Sequence, residues 1–249
     1  QRQMCIRDRV WAMWHQMQEG DFVQTYTEKG FRGNDKEWES MCIPFGEDAK
    51  ICLNGVIDRV DLCSLPGEEL IKVIDYKSSD SQDLSLAKVY YGLQMQLLTY
   101  LEAAKEMVEK EHKGKEAVPA AMLYYAIKEK NLDWKPESEE EYEKRVLDSM
   151  KCKGYVNEEP EIIGHLDKSV VNGGELIPGQ KSGVVPVAVD KKGLLKKNSG
   201  TLSAKDFETL IAHTKEKMKE CGKGILDGKI EAIPYVYEDN EGCTYCPYG

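Results

Sequence analysis

No run of about 18 consecutive apolar residues occurs in the 249-residue sequence, so no segment reads as a membrane-spanning helix and no membrane partner is expected. There is no Gly-rich phosphate loop and no Walker-type motif, which excludes a nucleotide-driven motor within these residues. No internal repeat is visible, which excludes a solenoid. A basic surplus is also missing. The net charge is −10, so a free-standing nucleic-acid binder relying on its own basic surface is not expected. Any DNA groove must be local, metal-assisted or supplied by a partner. The start, Gln1 to Arg9, is polar, lacks Met and carries no signal-peptide pattern, so a piece of a longer cytoplasmic protein is expected.

What is present is a soluble-type composition, 31% charged and 41% hydrophobic, in a chain long enough for a sizeable core. Eight cysteines occur, at 5, 42, 52, 63, 152, 221, 243 and 246. Most stand singly in apolar contexts and read as buried free thiols, with Cys243 and Cys246 the exception as a CxxC pair.

The most informative stretch is Gly55 to Lys77, GVIDRVDLCSLPGEELIKVIDYK. Two β-type runs, about 50–63 and 70–79, flank a Pro-Gly turn, so antiparallel neighbours are expected. Alternation puts Val56, Asp58, Val60 and Leu62 on one face of the first, with Ile57, Arg59 and Asp61 on the other. Asp58 therefore falls on the more apolar face, and Asp61 on the opposite face reads as structural. In the second run Ile71, Val73, Asp75 and Lys77 share a face. Two aspartates and a lysine converging from adjacent strands suit a metal site with a cationic helper; a structural Asp–Lys–Asp salt-bridge cluster accounts for them equally at this point. If a metal binds, Asp58 and Asp75 are its ligands, with the Tyr76 carbonyl as a backbone oxygen.

Around this stretch, residues 10–29 have a weak helical pattern containing His15, 30–37 read as a loop, and Trp38 to Phe45 as a short strand. Ser85 to Glu111 gives the clearest helix, with Ser85 as its N-cap and Gln96 and Tyr100 one turn apart, sharing a face with Gly92. Val118 to Lys128 reads as a buried strand and Glu137 to Met150 as a charged amphipathic helix. Lys151 to Ser203 reads as loops with short strands, including Val184 to Val189. A helix capped by Ser203 is expected to run to about Cys221 and be broken by Gly222, Gly224 and Gly228. This is an α/β chain with a mixed central sheet flanked by helices. It divides into an N-terminal helical and loop segment (1–40), a core (41–130) and C-terminal helices, loops and CxxC tail (131–249), all one domain.

Gly55-Val56-Ile57-Asp58, then Ile74-Asp75-Tyr76-Lys77-Ser78-Ser79, then Gln96 and Tyr100 together resemble the motif set of the PD-(D/E)xK nucleases, in particular the RecB-type branch. Ile74 stands where the motif's name has proline. Tyr90-Tyr91-Gly92-Leu93, Pro119 to Tyr124 and Cys243-Thr244-Tyr245-Cys246-Pro247-Tyr248 are similar to the AddB family, one of the two chains of bacterial AddAB helicase–nucleases. The resemblance spans about 42–249. It implies a restriction-endonuclease-like fold and a Mg²⁺-dependent DNA exonuclease that degrades the 5′-terminated strand at double-strand breaks beside an AddA partner. Asp58, Asp75, Lys77, Gln96 and Tyr100 are the implied catalytic set. Cys243 and Cys246 are two implied thiolates of a [4Fe–4S] cluster, whose other cysteines would lie ahead of residue 1 and after Gly249. His15 does not match the branch's metal-ligand histidine in its surroundings. The competing readings are an inactive DNA-binding or scaffold module, and a zinc or redox CxxC protein.

Overall fold

The computed structural model describes residues 2–3, 6–33, 38–45, 49–78, 83–127, 131–132, 136, 138–231, 236–237 and 240–241. Cys5, Ser79, Cys243 and Cys246 lie outside them. The labelled elements are helices α1 (Ile6–Gln18), α2 (Leu86–Tyr90), α3 (Gln96–Glu111), α4 (Glu139–Ser149), α5 (Pro160–Leu166) and α6 (Ala204–Leu226). The strands are β1 (Val23–Phe31), β2 (Met41–Phe45), β3 (Ala49–Leu53), β4 (Gly55–Leu65), β5 (Glu68–Lys77), β6 (Glu116–Ala126), β7 (Lys153–Asn157) and β8 (Thr201–Leu202).

Six strands form the central sheet in the order β8-β7-β6-β5-β4-β1. Strands β4 and β5 are the expected antiparallel hairpin, turned at Pro66 and Gly67, the latter at φ +85°. From β5 the chain crosses through α2 and α3 and returns as β6, parallel to β5. Pro119 removes a ladder donor, and the register shift between Ile71 and Lys72 absorbs it as a bulge. The sheet is therefore mixed, with β5 standing between an antiparallel and a parallel neighbour.

Both faces of the sheet are covered. On one, Ile71, Val73, Val60, Leu62 and Met122 pack against Leu97, Leu98, Leu101, Ala104 and Val108 of α3, with Phe207 and Ile211 of α6 behind. On the other, Leu70, Ile74, Leu123 and Tyr125 meet Val146 of α4 and Ile163 and Leu166 of α5, and α1 adds Trp11 and Met13. Capping boxes at Ser138–Glu141 and Ser203–Asp206 start α4 and α6. No helix among the described residues is long and apolar enough to cross a membrane.

Several expectations are corrected. The second half of 10–29 is not helical: Val23–Phe31 is the edge strand β1, paired antiparallel with β4. The first long run splits at Asn54 into β3 and β4, and β3 pairs with β2 in a separate hairpin. The expected long helix is two helices, because Gly92 at φ +78° turns the chain between them; Gly92 does not share the α3 face with Gln96 and Tyr100. Lys153–Asn157 is a sheet strand and Pro160–Leu166 a helix, whereas Val184–Val189 makes isolated bridges only. Helix α6 runs through Gly222 and Gly224 to Leu226. Cys42 and Cys52 are joined by a disulfide, since the hairpin register sets them directly opposite on its outer side. Cys63 and Cys152 are the buried free thiols; Cys221 is exposed.

Candidate active site

The ladder between β4 and β5 ends at the Arg59–Ile74 pair, while β4 keeps its pairing with β1 through Ile57, Val56 and Gly55. Strand β4 thus parts from β5 at Asp58. The half-buried Asp58 carboxylate takes up the slack: its Oδ2 accepts the Tyr76 N–H at 2.7 Å. Val60 and Leu62 from β4 share one core with Ile71 and Val73 from β5, as the alternation predicts, but Ile57, expected on the opposite face with Arg59 and Asp61, joins that same core.

Asp75, 3% exposed, is aligned across the parallel ladder with Tyr124. Lys77 Nζ lies 2.5 Å from Asp75 Oδ2, an ion pair by distance. Oδ2 is buried, and the Lys77 ammonium is the cation that faces it. Burial pushes the Asp75 carboxyl above its ordinary range; Lys77 pulls it back, and the nearby Asp58 charge pushes it up again. Lys77 also donates to Gln96 Oε1 at 2.9 Å, and Gln96 Nε2 donates to the Tyr100 hydroxyl at 2.9 Å. The ammonium lies 5.2 Å from the centroid of the Tyr124 ring. Burial, with the Asp75 charge behind it, pushes the Tyr124 hydroxyl up to about 12.

Asp58, Asp75, Tyr76, Lys77, Gln96 and Tyr100 therefore come together at the carboxyl end of β5, joined by one chain of contacts. The glycine of the first motif has a steric reason. A Cβ on Gly55 would stand 2.7 Å from Phe31 Cζ, so the strand passes against that ring only as glycine; at 3.5 Å from Tyr100 Cε1 it would be in ordinary contact. Asp61 sits elsewhere, fully buried on the other face in an ion cluster with Arg59 (Nε–Oδ1 2.6 Å) and Lys72 (Nζ–Oδ2 2.9 Å). His15 pairs with Glu19 at 3.4 Å on α1, the helix that covers that other face. Tyr124 is the neighbour that spacing did not single out. Its signal lies in the parallel register, which only the sheet supplies.

Among the described residues no group of three or more His, Cys, Asp or Glu gathers as a metal cage. Two carboxylates do converge, the buried Asp75 and the half-buried Asp58, with the Lys77 ammonium on the first. That suits a hard cation held by one or two carboxylates and otherwise by water and phosphate. Paired carboxylates and a fixed ammonium at one end of a mixed sheet have the chemistry for a reacting phosphate ester.

Sequence comparison agrees with that class. The model of the PD-(D/E)XK nuclease superfamily matches residues 2–249, and the chain belongs to that superfamily. Among curated proteins it is 34% identical over 242 residues, 96% of this chain, to a protein of Alkaliphilus metalliredigens named as the B subunit of an ATP-dependent helicase/deoxyribonuclease. Proteins of the same name match from Clostridium perfringens (34% over 244 residues, 96% of this chain) and Staphylococcus carnosus (32% over 228 residues, 89% of this chain). The chain spans about one fifth of these relatives, 20%, 20% and 19% of their lengths.

Proposed function

We propose that this domain is a Mg²⁺-dependent deoxyribonuclease, acting in a longer protein as the nuclease of a helicase–nuclease that resects double-strand breaks. One observation carries the reading: the buried Asp75 carboxylate, paired with the Lys77 ammonium, lies close to the Asp58 carboxylate where β4 parts from β5. A structural salt bridge between Asp75 and Lys77 has no need of a second carboxylate, and the repulsion of Asp58 on Asp75 costs stability unless a further cation meets both.

On this reading Asp58 and Asp75 hold the ion, with the Tyr76 carbonyl as a third oxygen. Mg²⁺ there supplies positive charge to a phosphate and acidity to a bound water. The chain's own part is to position and to complement charge. Lys77 faces the reacting phosphate and offsets the charge that grows on its oxygens. Gln96 fixes the ammonium through Oε1 and is itself held by Tyr100, both on the rigid first turns of α3. Buried Ile71, Val73 and Leu97 beneath keep water from the back of the carboxylates.

The names of the relatives support DNA as substrate and a further subunit as partner; an AddA-like chain as that subunit and the cytoplasm as the place of action are part of the same proposal. The same reading has the 5′-terminated strand as the one degraded. Cys243 and Cys246 are carried forward as two thiolates of a [4Fe–4S] cluster in the longer protein, which iron and labile-sulfide assays on that protein test. The site is tested by degradation of end-labelled single-stranded DNA with and without Mg²⁺. Asp75→Ala and Lys77→Ala are each expected to lower the rate by on the order of a hundredfold or more. Unchanged rates would refute the assignment, and the labelled end reads the polarity.

A further inference from the structure

We propose that Tyr124 is the positioning residue for Lys77, its ring forming one wall of a cradle whose other walls are the Asp75 carboxylate and the Gln96 amide oxygen. This rests on the nuclease reading only for its consequence in activity; the cradle itself is a matter of geometry. A lysine has four methylene groups to order and three N–H bonds to aim, and contacts on one side leave it free to swing. Lys77 is 20% exposed at the open end of β5, so water offers it an alternative. The contacts meet it from three elements: Asp75 from its own strand at 2.5 Å, Gln96 from α3 at 2.9 Å, and Tyr124 from β6 with its centroid at 5.2 Å.

The ring is fixed by packing. Tyr124 is 5% exposed and packed in the core shared by β5 and α3. The parallel register sets it beside Asp75, on the face that carries Lys77. An aliphatic residue of similar bulk would fill the space, as Met122 does in the same core, but would present no negative π face to the ammonium. A cation held against a ring in a desolvated corner keeps one direction, here towards the site of the phosphate. The hydroxyl is not needed for this.

The experiment pairs a kinetic with a spectroscopic measurement on the 249-residue protein. Tyr124→Leu is expected to lower kcat on single-stranded DNA roughly five- to thirtyfold with KM little changed. Tyr124→Phe, which keeps the ring face, is expected to recover most of that loss. In the metal-free protein the Lys77 Hε resonances are expected upfield of ordinary lysine values through the ring current, in wild type and Tyr124→Phe alike, and to return in Tyr124→Leu. Equal losses in the Phe and Leu variants, or a Leu variant with wild-type kcat, overturn the proposal. If the Leu variant does not fold, the wild-type and Phe spectra decide: ordinary Lys77 shifts overturn it. Lys77→Ala separates the two levels. An unchanged rate there removes the nuclease reading, while the spectra still report whether Tyr124 holds the ammonium.

Discussion

Replacing Asp61 with alanine should damage the fold far more than replacing Asp58, although the two lie three residues apart on one strand. Asp61 is fully buried and accepts from Arg59 twice, at 2.6 and 2.8 Å, and pairs with Lys72 at 2.9 Å. Arg59 is itself 5% exposed. Burial alone would weaken its hold on the proton, yet the hydrogen bond and charge of Asp61 lift it above its ordinary value. Asp61→Ala leaves two cations facing each other under the sheet without a counter-charge, a loss of about 3–5 kcal/mol. For a chain of this size about 1 kcal/mol moves the melting temperature by roughly 2–4 °C, so a fall of roughly 6–20 °C is expected. Asp58→Ala removes one acceptor from a half-buried amide and costs about 1–3 kcal/mol, partly offset by relief of repulsion with Asp75. Thermal unfolding followed by circular dichroism measures both. The reasoning fails if Asp61→Ala melts within about 3 °C of wild type, or no lower than Asp58→Ala. A triple replacement of Arg59, Asp61 and Lys72 by apolar residues should recover much of the single-variant loss, because the cost lies in the orphaned charges.

Two further outcomes follow from packing and titration. Gly55→Ala drives a methyl into the buried Phe31 ring and towards Tyr100, so about 1–3 kcal/mol of stability should go. Nuclease activity should fall further than the unfolded fraction explains, because Tyr100 holds Gln96. Full activity from a folded variant would show that the ring shift does not reach the site. Lys151 donates to Ser182 O at 2.7 Å, and burial, with Lys181 adding, lowers its ammonium to about 8; Asp148, Asp167 and Cys152 oppose this. The unfolded chain then binds more protons between about pH 8 and 10.5, so this residue's contribution makes stability rise with pH across that window. The advantage of Lys151→Met over wild type should therefore shrink from pH 7 to pH 10 in denaturant titrations. A constant difference would refute the assignment.

The parts of the fold that could be read from sequence are those in which local pattern and tertiary environment agree. The β4–β5 hairpin is one: alternation, a Pro-Gly turn and three charges on apolar faces point to the antiparallel pair and to the candidate site. Strand β1 is the opposite case. As the sheet edge it needs little apolar surface, and Gln24, Thr25, Thr27, Glu28 and Lys29 hide its period behind the tryptophans of α1. Strand β7 carries Gly154, which signals a loop in one dimension. In the sheet a Cβ there would meet Met122 O at 2.3 Å, so the glycine marks a close approach of backbones. Gly222 likewise reads as a helix breaker but lies under the Phe45 ring, where a Cβ would be 3.0 Å away, and packing carries α6 through it. The Cys42–Cys52 bond depends on the register of the β2–β3 hairpin, which single cysteines ten residues apart do not announce.

The same division explains why five residues of the candidate site stand out in the sequence and the adjoining Tyr124 does not. Asp58, Asp75, Lys77, Gln96 and Tyr100 are tied by periods of two along strands and four along a helix, which a sequence displays directly. Tyr124 joins them through a parallel ladder whose register is set by a crossover of nearly forty residues and a bulge at Pro119. That crossover also makes the site. Because β5 has an antiparallel neighbour on one side and a parallel one on the other, β4 can part from it at Asp58 while β6 continues alongside to Ala126. The gap opens on the carboxyl end of β5, where the direction of connection reverses and open sheets of this type place their ligands. A slip of one residue in the β4–β5 register would send Asp58 to the face now occupied by Arg59 and Asp61. The buried ion cluster on that face then works against the slip, because Asp61 finds two cations in only one register. The charges of the buried cluster thereby keep in place those of the candidate site.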